Sequence, residues 1–402
     1  MKITIATGPI FPVPAVRGGA VQRLWEGLAR EFAKRGHEVT VFAREFTGQA
    51  KEETVEGIRY VRRGGYGQST SIKRDLVQCL FYALTAARHV PPGDVVVTND
   101  FWMPAVLPWL NPSAGKVVPC LQRFPKRQAS LYGRCAALVA VSQAVADGVR
   151  AQSPSVASKV VIVPNAIDEV FLEGTKGLRD YGATGQATGD GGQTAGGRQP
   201  VRILYVGRIH PEKGLGLLVK ALRVLAARDQ KTNRPRDEGT KWECVLVGPV
   251  QQSEGGGGEA FVEELKRQVQ DLPVRFEGAV YNPTELAQIY KRADIFVYPS
   301  TADTGEAMPL APLEAMARGL VPVVSDLKAF REYLKPDANG MVFDHRGDES
   351  EANLAKALGE LVADAKKREQ MSVAARTTAE NFSMAVIADK YLQLFAKVIS
   401  GR

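Results

Sequence analysis

The feature that most constrains this chain is a repeated alternation, in which short β-branched apolar runs are each followed by a stretch with helical periodicity. Residues 2–7 (KITIAT) read as a buried strand. A Pro- and Gly-rich loop spans 8–19, and over 21–34 Leu24, Leu28 and Phe32 fall on one helical face. Gly36 stops that helix, as a glycine just past a C-terminus does, and a second strand follows at 39–43. A strand, a helix and a strand in this order form a crossover between parallel strands, so the chain is committed to an α/β fold.

The alternation continues with strand-like runs at 58–62, 95–98, 116–121, 137–141 and 160–163, and Ser142 is placed to cap a helix over 143–152. Between 174 and 200 the texture changes. The stretch GTKGLRDYGATGQATGDGGQTAGGRQP has almost no large apolar residue and reads as a linker. A second series then starts, with strands predicted at 202–206, 243–247, 274–277, 295–298 and 321–324. Helices are predicted at 215–227, 260–270, 284–292, 309–318, 351–363 and 385–399, and 230–240 and 251–258 read as surface inserts. The 402 residues exceed what one hydrophobic core usually spans. Two α/β domains are expected, 1–173 and 201–384, and such pairs bind ligands where the carboxyl ends of their strands face a cleft.

Composition removes several classes. Cys79, Cys120, Cys135 and Cys244 are scattered, with no CxxC pair, so neither a structural zinc site nor a disulfide framework is expected. The first residues, MKITIATGPIF, lack the apolar core of a secretory leader, and no apolar run reaches the length of a membrane span. A cytosol-like, cytoplasmic location is expected. The net charge of +8 favours anionic partners. Without a zinc-finger or RNP-like signature, nucleic acid is the least supported of these.

Three loops carry candidate chemistry. Gly18-Gly19 closes the loop after the first strand, where glycines let backbone N–H groups approach a phosphate, though a plain turn has the same composition. Gly207-Arg208-Ile209-His210-Pro211-Glu212-Lys213-Gly214 follows the first strand of the second domain. Arg208 and Lys213 beside a helix start suit a diphosphate, and a solvated loop is the alternative. The third is Glu306-Ala307-Met308-Pro309-Leu310-Ala311-Pro312-Leu313-Glu314, followed by Ala315-Met316-Ala317-Arg318-Gly319. A carboxylate accepts two hydrogen bonds from a vicinal diol. Glu306 and Glu314, flanking a helix start, could therefore hold the two ends of a nucleotide sugar, or be a pair of surface glutamates.

On these residues the chain resembles the family 4 retaining glycosyltransferases, also described as glycosyl transferases group 1. The corresponding motifs are G-R-x-x-x-x-K-G at 207–214, E-x-F-G-x-x-x-x-E with A-M-A-x-G at 306–319, and V-P-N-G-x-D, which at 163–168 reads Val163-Pro164-Asn165-Ala166-Ile167-Asp168. The resemblance implies the GT-B fold, two Rossmann-like doubly wound parallel-sheet domains facing a cleft, with the C-terminal helix (385–402) returning to the N-terminal domain. It implies that Arg208 and Lys213 bind the diphosphate of a nucleoside-diphosphate sugar, that Glu306 contacts the sugar and Glu314 the ribose. Gly18-Gly19 would approach the phosphate, and Met308, Pro309 and Leu310 would line the donor. Two departures stand out. The family's Phe-Gly is Met308-Pro309 here, and proline lacks an N–H to donate. A His that many relatives carry after an N-domain strand is replaced by Asn99-Asp100, which makes Asp100 the one candidate for a general base.

The resemblance implies sugar transfer from a nucleoside-diphosphate sugar to a glycan, glycolipid or other hydroxyl acceptor, in surface polysaccharide or lipopolysaccharide biosynthesis. No metal or cofactor is expected, because Arg208 and Lys213 already supply the positive charge. A non-catalytic sugar- or nucleotide-binding protein on the same fold is the alternative, and an epimerase would need a paired acid and base that the sequence lacks. From 101 to 146 there is no Asp or Glu, while Arg123, Lys126 and Arg127 cluster after a strand. That cluster points to an anionic acceptor or to peripheral contact with an anionic membrane face, as at the inner membrane, or it is a solvated basic loop.

Overall fold

A computed structural model describes residues 1–15, 19–67, 69, 71–173, 199–230, 241–303 and 305–401. The expected linker and the insert at 230–240 lie almost wholly outside the described residues. The chain divides into two compact units. The first holds Met1–Asp168, a short segment ending at Met308, and the chain from Phe382 onward; the second holds Glu169–Asp303 and Pro309–Asn381.

The first unit is built on one sheet whose strands are β1 (Lys2–Ala6), β2 (Glu38–Ala43), β3 (Glu52–Val55), β4 (Ile58–Arg62), β5 (Val95–Thr98), β6 (Lys116–Leu121), β7 (Leu138–Ala140) and β8 (Val160–Ile162), in the order β3-β4-β2-β1-β5-β6-β7-β8. Every neighbouring pair is parallel except β3 with β4. The sequence reading missed β3 because EETV is polar and mostly exposed, as suits a sheet edge. Arg62, fully buried, ties it down: its guanidinium donates to the carbonyls of Ala50 (2.7 Å) and Val13 (3.1 Å) and pairs with Glu53 at 2.7 Å.

Helix α1 (Ala20–Lys34) buries Leu24, Leu28 and Phe32, the face read from their spacing. Helices α2 (Ile72–Ala86), α3 (Met103–Leu110) and α4 (Gln143–Gln152) complete the crossovers, and Ser142 does cap α4 by accepting from the Val145 N–H at 3.3 Å. The second unit has strands β9 (Val201–Val206), β10 (Trp242–Val247), β11 (Val274–Glu277), β12 (Ile295–Tyr298), β13 (Val321–Ser325) and β14 (Met341–Phe343), all parallel, in the order β11-β10-β9-β12-β13-β14. Its helices are α5 (Leu215–Gln230), α6 (Glu259–Gln268), α7 (Pro283–Lys291), α8 (Ala311–Ala317), α9 (Ser350–Ala363) and α10 (Ala365–Glu380). The last helix, α11 (Met384–Ser400), belongs to the first unit, where it packs on α1. Tyr391 meets Trp25 edge to face at 5.0 Å, Phe395 meets Phe32 at 5.9 Å, and Arg35 bonds Asp389 at 3.0 Å.

Among the parallel strands of each sheet the order reverses direction once, between β1 and β5 in the first unit and between β9 and β12 in the second. Crossovers leave such a point toward opposite faces, so the loops beyond the strand ends part there and leave room for a ligand. The segment beginning at Thr7 and the pair Asn99-Asp100 follow β1 and β5, whereas 207–214 and Pro299-Ser300 follow β9 and β12.

Asp100 is placed as the cap of α3. Its Oδ1 accepts from the N–H groups of Trp102 (2.8 Å) and Met103 (2.6 Å). Its Oδ2 is sealed from solvent and has no hydrogen-bond partner among the described residues. Burial pushes the carboxyl from its ordinary 3.8 up to about 6, against the two N–H bonds that favour the anion. The folded state therefore holds the proton more tightly than the unfolded chain. This contribution to stability is fully present below the unfolded value and is lost as pH rises through about 6. Asp100→Asn keeps an oxygen for both N–H groups and removes the titration. Melting curves from pH 4 to 7 should show the variant gaining on the wild-type chain as pH rises; parallel curves would mean the carboxyl is not held neutral.

Candidate functional site

The second unit's reversal point gathers the cationic loop. Beyond β9 the chain makes one turn of 3-10 helix, Pro211–Lys213, capped by His210, whose Nδ1 accepts from the Glu212 N–H at 3.3 Å. Gly214 has φ 70, and a Cβ there would run into the Pro299 carbonyl oxygen. Only glycine lets this loop lie against the end of β12. Three donors then hold the Glu212 carbonyl: the Thr301 N–H at 3.0 Å, and the Ser300 and Thr301 hydroxyls at 3.3 Å each.

Arg208 and Lys213 converge on one carboxylate. The Arg208 guanidinium donates to Glu212 Oε1 at 2.5 Å and to the Gly255 carbonyl at 2.9 Å. The Lys213 ammonium stands 3.9 Å from the same Glu212 oxygen and 5.6 Å above the Tyr298 ring. The two cations differ in exposure: the Lys213 side chain is 7% exposed and that of Arg208 41%. Lys213 is a fixed charge on an aromatic floor, and Arg208 is a solvent-facing arm. Sequence reading missed Glu212, which lies inside the motif; its (i, i+4) spacing from Arg208 was the available signal. It also missed Gly255, in a stretch read as an ordinary surface insert.

Glu314 sits in the first turn of α8, half-buried, and its Oε2 accepts from the Tyr290 hydroxyl at 3.2 Å. Tyr290 has a second acceptor in the Ala311 carbonyl at 3.3 Å. Burial raises the Tyr290 hydroxyl far above its ordinary value, and the Glu314 charge adds to the effect, so the phenol stays a donor. From Tyr290 an aromatic series runs to Phe296 (5.7 Å), Tyr298 (6.2 Å) and Tyr205 (5.8 Å). Glu314 thus bonds Tyr290 at one end of a buried aromatic floor, and Lys213 stands over Tyr298, two rings along it. Leu310 precedes α8, and the Pro309 carbonyl accepts from the Tyr333 hydroxyl at 2.9 Å.

The remaining candidates group with the first unit. Glu306 is buried. Beside it the Ala307 carbonyl accepts from Ser142 Oγ at 2.6 Å, and the Met308 sulfur lies 3.1 Å from the Asn165 backbone N–H. Met308 therefore has a packing role of its own. Gly19 has φ 96 and precedes α1, whose first turn carries no acid; Gly18 lies outside the described residues. Arg123, Lys126 and Arg127 are exposed and make no ion pair among the described residues, and Arg127 takes a left-handed φ of 65 at the start of a 3-10 turn. Among the described residues no three His, Cys, Asp or Glu side chains are grouped to hold a metal ion, and no helix is long and apolar enough to cross a membrane.

Comparison with known proteins agrees with this layout. The family model for glycosyl transferases group 1 matches residues 195–378, and the model for glycosyltransferase family 4 matches 17–171. Spore coat protein SA of Bacillus subtilis is 25% identical, over 99% of this chain and 100% of its own length. A D-inositol 3-phosphate glycosyltransferase of Kineococcus radiotolerans is 25% identical, over 100% of this chain and 95% of its own. Among solved structures, a glycosyltransferase from Rickettsia africae superposes with a TM-score of 0.69 at 16% identity over 100% of both chains. The Anabaena protein HepE in complex with UDP and glucose gives 0.66 at 16% identity over 99% of this chain and 100% of its own. The two family models between them span most of the chain, each on one of the two parallel-sheet units, and the chain belongs to the family 4 (group 1) glycosyltransferases of GT-B fold.

Proposed function

We propose that this glycosyltransferase moves a sugar, with retention at the anomeric carbon, from a nucleoside-diphosphate sugar to a hydroxyl of a glycan or glycolipid, in the making of a surface polysaccharide. The observation that carries the reading is the convergence of Arg208 and Lys213 on one carboxylate, at the reversal point of a parallel sheet. In the free protein Glu212 holds Arg208. A diphosphate brings more negative charge than one carboxylate and competes for the exposed arm, while Lys213 stays fixed beneath it. Glu314 is offered to the ribose diol, with its second oxygen steadied by Tyr290, and Glu306 to the sugar hydroxyls. Gly19, just before α1, is offered to a phosphate. That HepE was solved with UDP and glucose supports a donor of this class.

In the proposed step the acceptor oxygen bonds to the anomeric carbon on the face that the diphosphate leaves. The bond from that carbon to the phosphate oxygen breaks, and the acceptor's proton passes to the departing oxygen. Arg208 and Lys213 stabilise the charge growing on that oxygen. No protein base is needed, which suits an Asp100 whose Oδ1 is engaged in capping α3. The exposed cations Arg123, Lys126 and Arg127 favour an acceptor that carries phosphate or carboxylate. Screening sugar nucleotides for turnover and reading product configuration by NMR tests the whole reading. Inverted product, or binding of every donor without transfer, would defeat it.

Glu314→Ala should weaken donor binding by about 1.5–3 kcal/mol, the usual worth of hydrogen bonds to a charged group. The fold should survive, because Tyr290 retains Ala311 as an acceptor. Glu306→Ala should lower kcat more than it raises the donor KM, because it acts on the reacting sugar. Wild-type kinetics in both variants would remove the two carboxylates from the site.

Activity should also survive excess chelator, because Arg208 and Lys213 supply the positive charge that a divalent ion gives elsewhere. Complete loss in chelator, restored by magnesium or manganese, would show that these two cations are not sufficient.

A further inference from the structure

Between β13 and β14 the chain leaves the sheet and returns over residues 326–340, and this excursion lines a cavity of about 360 Å³. Leu327, Phe330 and Leu334 are its buried walls, and the fully buried Ser325 lies at its inner end. Arg331 and Lys335, both exposed, stand at its mouth. The excursion is braced from within. The Asn339 side-chain amide donates to the Tyr333 carbonyl and to the Thr378 hydroxyl at 2.9 Å each, and its oxygen accepts from the Lys335 N–H at 2.7 Å. The cavity is thus preformed, apolar inside and polar at the rim, as small-molecule sites are. Its volume falls near the lower end for such sites, about 300–1,000 Å³. That admits one or two fused rings with a headgroup. A nucleotide sugar, with a base, two sugars and two phosphates, is too large for it.

Charge decides the headgroup. Over 326–340 the acids Asp326, Glu332 and Asp337 balance the bases Lys328, Arg331 and Lys335, but only Asp326, Arg331 and Lys335 line the cavity. Asp326 is already engaged: it accepts from Arg331 at 2.9 Å, and its other oxygen is 3.9 Å from the Arg346 guanidinium. Asp303 holds Arg346 from a second side at 2.9 Å, and Asp337 acts on Lys367, whose charged form it favours. The Lys335 ammonium makes no ion pair among the described residues, so the mouth keeps one uncompensated positive charge. At the inner end the Ser325 hydroxyl is sealed from solvent and has no hydrogen-bond partner among the described residues. A buried hydroxyl is costly until it is paired.

We propose that this cavity binds a small aromatic carboxylate, with its rings between Leu327, Phe330 and Leu334 and its carboxylate on Lys335. A flat, rigid body loses little freedom on entering a preformed slot, which favours it over a flexible chain of the same volume. Phe330 joins the cavity to the donor region: its ring meets Tyr298 edge to face at 6.0 Å, and Tyr298 lies beneath Lys213. A ligand here therefore touches a side chain that supports the aromatic floor. The inference goes beyond the donor reading and does not rest on it, because binding is measured with no sugar nucleotide present.

Isothermal titration with 2-naphthoate tests it. One molecule should bind per chain, and the uncharged 2-naphthamide should bind about fivefold more weakly, the upper end of what an exposed ion pair gives. Lys335→Gln, at an exposed position, should keep the melting temperature and bring naphthoate down to the affinity of the amide. Val342→Phe, which fills the cavity from β14, should remove binding of both probes. Arg208→Gln should bind naphthoate like wild type. The proposal is overturned if naphthoate does not bind, if wild type binds naphthoate and naphthamide equally, or if Lys335→Gln binds naphthoate like wild type. It is equally overturned if Arg208→Gln loses naphthoate, which would put the probe in the loop 207–214, or if a folded Val342→Phe chain still binds it.

Discussion

The close backbone approach of Gly214 to Pro299 is the contact on which the candidate donor site depends. It sets the loop after β9 against the end of β12, the two strands between which the sheet order reverses. A Cβ at 214 would collide with a backbone carbonyl, and a second such approach, Gly248 onto the Gly207 carbonyl, holds the other side of the loop. With the backbone fixed at both sides, Arg208 and Lys213 start from set positions, and the buried Lys213 has little choice of where its charge goes. The parallel sheet supplies the gap, and the glycines bring the cations into it.

Glu212 gives this site a resting state. Its carboxylate is shared by the exposed Arg208 and the almost fully buried Lys213. With it, a ligand must offer more than one negative charge to gain anything by entering. A diphosphate spreads its charge over two phosphoryl groups and can meet both cations, a physical basis for preferring it to a monophosphate. The aromatic floor of Tyr205, Tyr298, Phe296 and Tyr290 contributes rigidity and a low-dielectric side, so the charges above it act more strongly than they would in water.

Much of this was legible in the sequence. The βαβ start, the helical face of Leu24, Leu28 and Phe32, and the cap at Ser142 follow from periodicity and local chemistry, and the structure has all three. The α/β class and the family follow from the alternation and from the motif at 207–214. Other elements were hidden for physical reasons. β3 is a polar edge strand held by a buried arginine, which no hydrophobic pattern reports. β14 has three residues, and α10 buries only Met371, Ala375 and Ala379. The partner roles of Glu212, Gly255 and Tyr290 are tertiary facts, because spacing along the chain does not say which way a side chain turns. The capping role of Asp100 was likewise invisible until α3 was placed.

The central claim is that the loop from Gly207 to Gly214 receives the diphosphate of the donor. Ligand-induced thermal stabilisation reads it most directly, because a ligand that binds only the folded chain raises the melting temperature by mass action. The account predicts that one nucleoside diphosphate stabilises the wild-type chain well beyond the matching monophosphate. Arg208→Gln, at a solvent-facing position, should abolish that difference without lowering the melting temperature of the free protein. Equal stabilisation by the two nucleotides, or a difference that survives in Arg208→Gln, would contradict it.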